Sequence, residues 1–248
     1  MRVSYNVKRL QDVARGLWLL RELRKHDSWP QEWLADYQRR HVGELIEFAR
    51  RHPDFYRELY GDVKPDAELA ELPVVTKEAM MANFDSFVTD RRLKLSELRG
   101  HLETLNRDEY YRGEYRVITS SGSSGLKGVF VYSRAEWSWT VAAALRGTST
   151  MGIKPRQTSG FRSATVGGPS PLHATYRMAA SLQMGIFRTL RLDATDTLEH
   201  LVSKLNAFQP EALFAYPSLA SLLAIEQLEG RLSIQPRTIA TAGEVPTP

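Results

Sequence analysis

The stretch Arg116-Val117-Ile118-Thr119-Ser120-Ser121-Gly122-Ser123-Ser124-Gly125-Leu126-Lys127-Gly128-Val129-Phe130-Val131-Tyr132 decides how the chain is read. Two runs rich in β-branched and aromatic residues, 116–119 and 129–132, flank a segment of serine and glycine, so the pattern predicts strand, loop, strand. Such a loop offers backbone N–H groups, hydroxyls and room for close approach, which are the parts of a phosphate cradle. Lys127 adds a mobile positive charge suited to phosphate oxygens. The same composition also describes a solvated hairpin turn, and the loop by itself does not separate the two. It is not a Walker A motif. Lys127 lies five residues after Gly122 and is followed by Gly128, and the next segment is a strand where that motif requires a helix.

Outward from the loop, Ser133-Arg134-Ala135-Glu136 has capping-box spacing and predicts a helix running to about Leu145. Extended and helical patterns then alternate: Ile186–Leu192 extended, Thr197–Phe208 helical, Ala212–Ala215 extended, Pro217–Leu228 helical, Arg237–Thr241 extended. Pro217 suits a first helical position, and Gly230 lies just past the end. This alternation predicts an α/β fold with a layered, mainly parallel sheet and flanking helices. On the N-terminal side, Leu10, Val13, Ala14, Leu17, Leu20 and Leu23 recur at helical spacing, as do Val42, Leu45, Ile46 and Ala49. His52-Pro53 ends the second helix. Thr76 is placed to cap a short helix over Lys77–Asn83. The expected organisation is a helical region over 1–70 and an incomplete α/β nucleotide-binding domain over 71–248. The last residues, Gly243-Glu244-Val245-Pro246-Thr247-Pro248, follow directly on a predicted strand. A parallel sheet needs a helix there, so the end reads as an interruption. There is no internal repeat or low-complexity tract.

Of the 248 residues, 42% are hydrophobic and 25% charged, the profile of a globular protein with a substantial core. The absence of cysteine excludes disulfides, thiolate metal sites and cysteine nucleophiles, and fits a cytoplasmic location. The apolar run Leu17-Trp18-Leu19-Leu20 is too short for a signal sequence or a membrane span. The formal charge of +4 comes from basic residues interleaved with acidic ones, as in Arg21-Glu22-Leu23-Arg24-Lys25, so specific nucleic-acid binding is not expected. The histidines are scattered without metal-ligand spacing, and no Gly-x-Ser-x-Gly elbow is present. Trp18, Trp29 and Trp33 are assigned to core or interface packing.

The run Ser120-Ser121-Gly122-Ser123-Ser124-Gly125 resembles the phosphate loop of the adenylate-forming superfamily, and most nearly that of phenylacetate–CoA ligase relatives. Three further landmarks fall in the family's order. These are Phe55-Tyr56 followed by Leu72-Pro73-Val74-Val75-Thr76-Lys77-Glu78, then Ala215-Tyr216-Pro217-Ser218, then Thr241-Ala242-Gly243-Glu244. The resemblance implies an ATP-dependent ligase. A small carboxylic acid attacks the α-phosphate of MgATP, giving an acyl-adenylate and pyrophosphate, and the CoA thiol then displaces AMP. It implies that Ser120, Ser121, Gly122, Ser123, Ser124, Gly125 and Lys127 hold the ATP phosphates. Gly243 and Glu244 would lie on the adenine or acyl side, and His173 of Pro171-Leu172-His173 would line the carboxylate site unless it is an ordinary packed histidine. ATP, Mg2+ and CoA are the implied small molecules, and a homodimer the implied assembly. Two departures stand out. Gly125-Leu126-Lys127-Gly128 is one residue shorter than the family's pattern, which shifts the lysine. The family's aromatic-Gly-x-Thr-Glu motif, ribose-binding aspartate and C-terminal lysine would come after Pro248, so the chain as written is expected to be catalytically inactive. The other readings are a non-catalytic nucleotide-binding module of the same fold, and a basic interaction protein whose Ser-Gly loop is only a turn.

Overall fold

The structure, a computed structural model, describes residues 2–52, 54–64, 67–120, 125–150, 160–168, 170–183 and 188–244. The chain begins with a long helix α1 (Arg2–Lys25), then α2 (Gln31–Arg51) and the short α3 (Asp54–Leu59), α4 (Lys77–Ala82) and α5 (Phe84–Phe87), followed by α6 (Leu95–Thr104). Thr76 caps α4 as expected, its Oγ1 accepting from the Ala79 N–H at 3.2 Å. Pro53, the expected stop after α2, lies outside the described residues.

Strands β1 (Tyr115–Thr119) and β2 (Val129–Ser133) form a two-stranded antiparallel hairpin, with Thr119 opposite Val129. The capping box that follows is formed in both directions: the Ser133 N–H donates to Glu136 Oε2 (2.7 Å) and the Glu136 N–H to Ser133 Oγ (3.3 Å). It opens α7 (Arg134–Thr150), five residues longer than its expected end. Strand β3 (Arg162–Gly167), α8 (Ala174–Leu182), β4 (Arg188–Asp193), α9 (Leu198–Phe208), β5 (Ala212–Ala215), α10 (Pro217–Leu228) and β6 (Thr238–Thr241) complete the chain. Their strands pair in parallel in the order β4-β3-β5-β6. The expected parallel sheet is therefore present. The hairpin that carries the Ser-Gly loop stands as a separate sheet.

The parallel sheet buries Ala164, Val166, Leu213 and Ala215 under Leu201, Leu205, Leu219 and Leu223, so α9 and α10 share one face. Right-handed crossovers then put α8 on the other face, because the β3–β4 connection runs in the opposite direction along the sheet. A second core gathers Met80, Phe84, Leu98, Leu102, Val117 and Val129 around the hairpin. Helix α1 lies along α7, and Gly16 permits the close approach: a Cβ there would sit 2.7 Å from Val141 Cγ1. Trp18 and Trp33 are exposed, so core packing does not account for them; the buried tryptophan is Trp137.

Candidate functional site at the carboxyl ends of the parallel strands

In an open α/β sheet, ligands bind outside the carboxyl ends of the strands, where neighbouring strands send their connections to opposite faces. Here that point lies between β3 and β5, since β3 leads to α8 and β5 to α10. The residues just past the strand ends are small or aromatic. A Cβ on Gly168, after β3, would lie 3.4 Å from His173 Cδ2 and 3.6 Å from the Tyr216 hydroxyl. After β6, Gly243 has φ +94° and lies under the Tyr216 ring, where a Cβ would meet Cε1 at 2.9 Å. Tyr216 therefore spans the ends of three strands, its ring over Gly243 and its hydroxyl towards Gly168 and His173. The positive φ and the ring together exclude a side chain at 243.

Glu244 reaches back to the start of α10, where Oε2 accepts from the Ser218 N–H (3.1 Å) and the Ser218 hydroxyl (2.7 Å). Those two hydrogen bonds hold its carboxyl below the usual carboxylate range. Pro217 supplies the first helical residue and Tyr216, at the cap position, gives no side-chain cap, so Glu244 caps the helix from a distance. This joins the β6 end to the Tyr216 turn.

The Ser-Gly loop is closed at its stem. The Ser120 N–H donates to the Gly128 carbonyl (3.0 Å), and the Gly128 N–H donates to Ser120 Oγ (2.8 Å). Gly125 has φ +84°, and Lys127 is exposed. Ser121, Gly122, Ser123 and Ser124 lie outside the described residues. A Cβ on Gly128 would lie 3.4 Å from Lys77 Cδ, so the first residue of α4 brings a second lysine to the stem. The stem is bonded to the histidine turn: the Thr119 N–H donates to the Leu172 carbonyl at 2.8 Å. His173 itself takes the cap position of α8, with its N–H donating to Ser170 O (3.2 Å).

The fold thus brings His173, Gly243 and Glu244 to one crevice, and a hydrogen bond links the turn before His173 to the loop stem at Ser120. Three residues given no site role by sequence join them: Tyr216, Gly168 and Lys77. Tyr216 and Lys77 each fall within a quoted landmark; Gly168 had no signal beyond its glycine neighbour. A cavity of about 660 Å³ lies elsewhere, between α2, α3, α5 and β2, with Tyr56, Tyr60, Phe87 and Phe130 in its walls. None of the crevice residues lines it. Among the described residues there is no group of three or more His, Asp or Glu side chains able to hold a metal ion. Nor is any described helix long and apolar enough to cross a membrane.

No family model and no curated protein matches the chain. Solved structures do. 2-Hydroxyisobutyryl-CoA ligase in complex with 2-HIB-AMP and CoA, in its thioesterification state, superposes with a TM-score of 0.57 at 21% identity, over 83% of this chain and 42% of that one. The same ligase in its postadenylation state with 2-HIB-AMP gives a TM-score of 0.54 at 22% identity, over 77% of this chain and 38% of that one. The fold matches that of part of this ligase. At these identities the likeness is one of fold. This chain spans about two fifths of the ligase's length: 38% in one structure and 42% in the other.

Proposed function

We propose that the chain is the phosphate-loop-bearing part of an ATP-dependent carboxylate–CoA ligase, related to the phenylacetate–CoA ligase branch and acting on a small carboxylic acid. The observation that carries this reading is the crevice at the strand ends. Tyr216, Gly168, Gly243 and His173 meet at the switch point, and one hydrogen bond ties the His173 turn to the stem of a Ser-Gly loop. In this reading Ser120, Gly125 and the four residues between them bind the β- and γ-phosphates, with Lys127 and Lys77 as nearby cations. Donors fixed around an anionic leaving group stabilise pyrophosphate as it departs. The bare backbone at Gly243 beside the Tyr216 ring suits a flat adenine, and His173 faces the carboxylate. Mg2+ would arrive on the nucleotide phosphates, adding positive charge to that of the two lysines. CoA is the acceptor in this reading.

A second reading is a nucleotide-binding module of the same fold without catalysis. Calorimetry with MgATP tests both. Saturable binding is expected, weakened by Gly122→Ala, whose methyl blocks close backbone approach, and by Gly243→Val, which forces Tyr216 aside. Absence of MgATP binding to the unsubstituted chain would sink both readings. Acid-dependent pyrophosphate exchange by the chain would rule out the module, whereas binding without exchange is expected of either reading.

A further inference from the structure

Strand β1 has one edge paired to β2 and one edge facing α8. The Ser120–Gly128 pair fixes which groups face which way, because donors and acceptors alternate along an antiparallel strand. Tyr115, Val117 and Thr119 therefore turn their backbone groups to the outer edge. Each makes a hydrogen bond there without a third strand. Tyr115 exchanges two hydrogen bonds with Tyr111. The Val117 carbonyl accepts from Arg177 Nη2 at 3.3 Å, and the Thr119 N–H donates to the Leu172 carbonyl at 2.8 Å.

Arg177 is wholly buried. Its guanidinium also donates to the Arg107 carbonyl (3.2 Å) and pairs with Asp108 Oδ1 (3.1 Å). Asp108 in turn binds the buried Arg116 of β1 and accepts from the Tyr5 hydroxyl of α1. On its own helix, the Arg177 N–H donates to the His173 carbonyl and the Arg177 carbonyl accepts from Ser181, whose Oγ also accepts from Trp137 Nε1 (2.9 Å). Two buried guanidinium groups thus share one carboxylate, and the Nε of each has no hydrogen-bond partner among the described residues. A buried charge this expensive needs a reason beyond packing, since an apolar side chain of similar volume would often serve stability equally well.

We infer that Arg177 is a positioning residue that replaces a third strand on the outer edge of β1, fixing the His173 turn in register with the stem of the Ser-Gly loop. Through Asp108 and Tyr5 the same group ties that register to α1. The inference rests on the proposed function only for the use made of the aligned groups; the alignment itself is a property of the fold.

Hydrogen exchange on the full chain tests it. In Arg177→Met the Thr119 amide is expected to exchange about tenfold faster or more, the loss of a charge-assisted hydrogen bond, while the Leu213 and Ala215 amides of β5 stay within about twofold. The ring resonances of His173 should move, and those of His200, on the far α9, should not. Equal acceleration at Thr119 and β5, or no change at Thr119, would overturn the assignment and leave Arg177 a purely structural residue. Should Arg177→Met fail to fold, Arg177→Lys is read the same way, because its ammonium can keep Asp108 company but cannot span both carbonyls; Tyr5→Phe gives a milder third test. MgATP affinity measured on the same variants separates the two levels. Local loosening without any nucleotide binding in the unsubstituted chain would refute the proposed function and leave the positioning role standing.

Discussion

At the scale of single residues, the site is built from backbone left bare and from polar groups already spent on each other. Gly243 is the sharpest case: φ +94° and an aromatic ring 2.9 Å from its missing Cβ leave no low-energy path for alanine. Gly243→Ala is expected to cost about 1–3 kcal/mol in chemical denaturation, combining left-handed strain with displacement of Tyr216. A loss below about 0.5 kcal/mol would mean that the β6 end is free to re-form. His101 gives a pH prediction. Burial, assisted by the positive charge of Arg177 and opposed by Glu109, holds its imidazole below the ordinary 6.5, and its buried Nε2 has no partner among the described residues. The unfolded chain therefore takes up the proton first. The His101 contribution is fully present above about pH 6.5 and is lost as pH falls through the lower folded value. Denaturation midpoints of His101→Phe, which keeps the ring contact with Tyr111, should fall less steeply between about pH 7 and pH 5 than those of the unsubstituted chain. Parallel slopes would remove His101 from the acid sensitivity.

At the scale of elements, legibility followed local signals. Helix α10 carries proline at its first position, α9 a threonine cap, and α7 a reciprocal serine–glutamate box; α9 and α10 match their expected bounds, and α7 its expected start. Thr197→Ala should therefore cost about 1 kcal/mol by releasing the His200 N–H it caps, measured against Leu205→Ala, a fully buried position on the same helix where about 2–5 kcal/mol is expected. Strand β3 was not found. Its residues Arg162, Ser163, Ala164, Thr165, Val166 and Gly167 hold only two apolar side chains, because the strand opens on Arg162 and the face turned away from α9 and α10 carries Ser163, Thr165 and Gly167. It is nonetheless the strand on which β4 and β5 both pair, and strand order decides where ligands sit. Helix α6 was also missed, although Leu95, Leu98 and Leu102 have helical spacing; ten residues give too short a window to separate that period from chance. For the same reason the sequence reached Gly243, Glu244 and His173 only by resemblance. Tyr216 acquires its role from lying between strands that sequence order does not place side by side.

At the scale of the molecule, the question is whether the helical region over 1–70 and the α/β region over 71–248 stand as two units. Their contact is not a loose seam. Tyr5 reaches Asp108, Asp12 accepts from Tyr110 (2.6 Å) and Arg134 (2.8 Å), and Arg9 donates to the Ala180 carbonyl (3.2 Å). Leu19 and Leu20 of α1 pack on Ala142 of α7, and Gly16 sits where any Cβ would strike Val141 and the Ser138 carbonyl. Asp12 is buried, so separating α1 from α7 would leave Arg134 and Tyr110 without their acceptor as well as exposing apolar surface. Cooperativity follows from that coupling: α1 cannot leave without loosening the network that holds α8 to β1. Gly16→Leu, which wedges the helices apart, is thus expected to lower stability by about 1–3 kcal/mol while preserving one unfolding transition seen alike by far-ultraviolet dichroism and by the indole resonance of Trp137. Two separated transitions, with the helical signal lost first and the tryptophan signal unchanged, would mean that α1 melts on its own, and residue 70 would then mark a boundary between independent units.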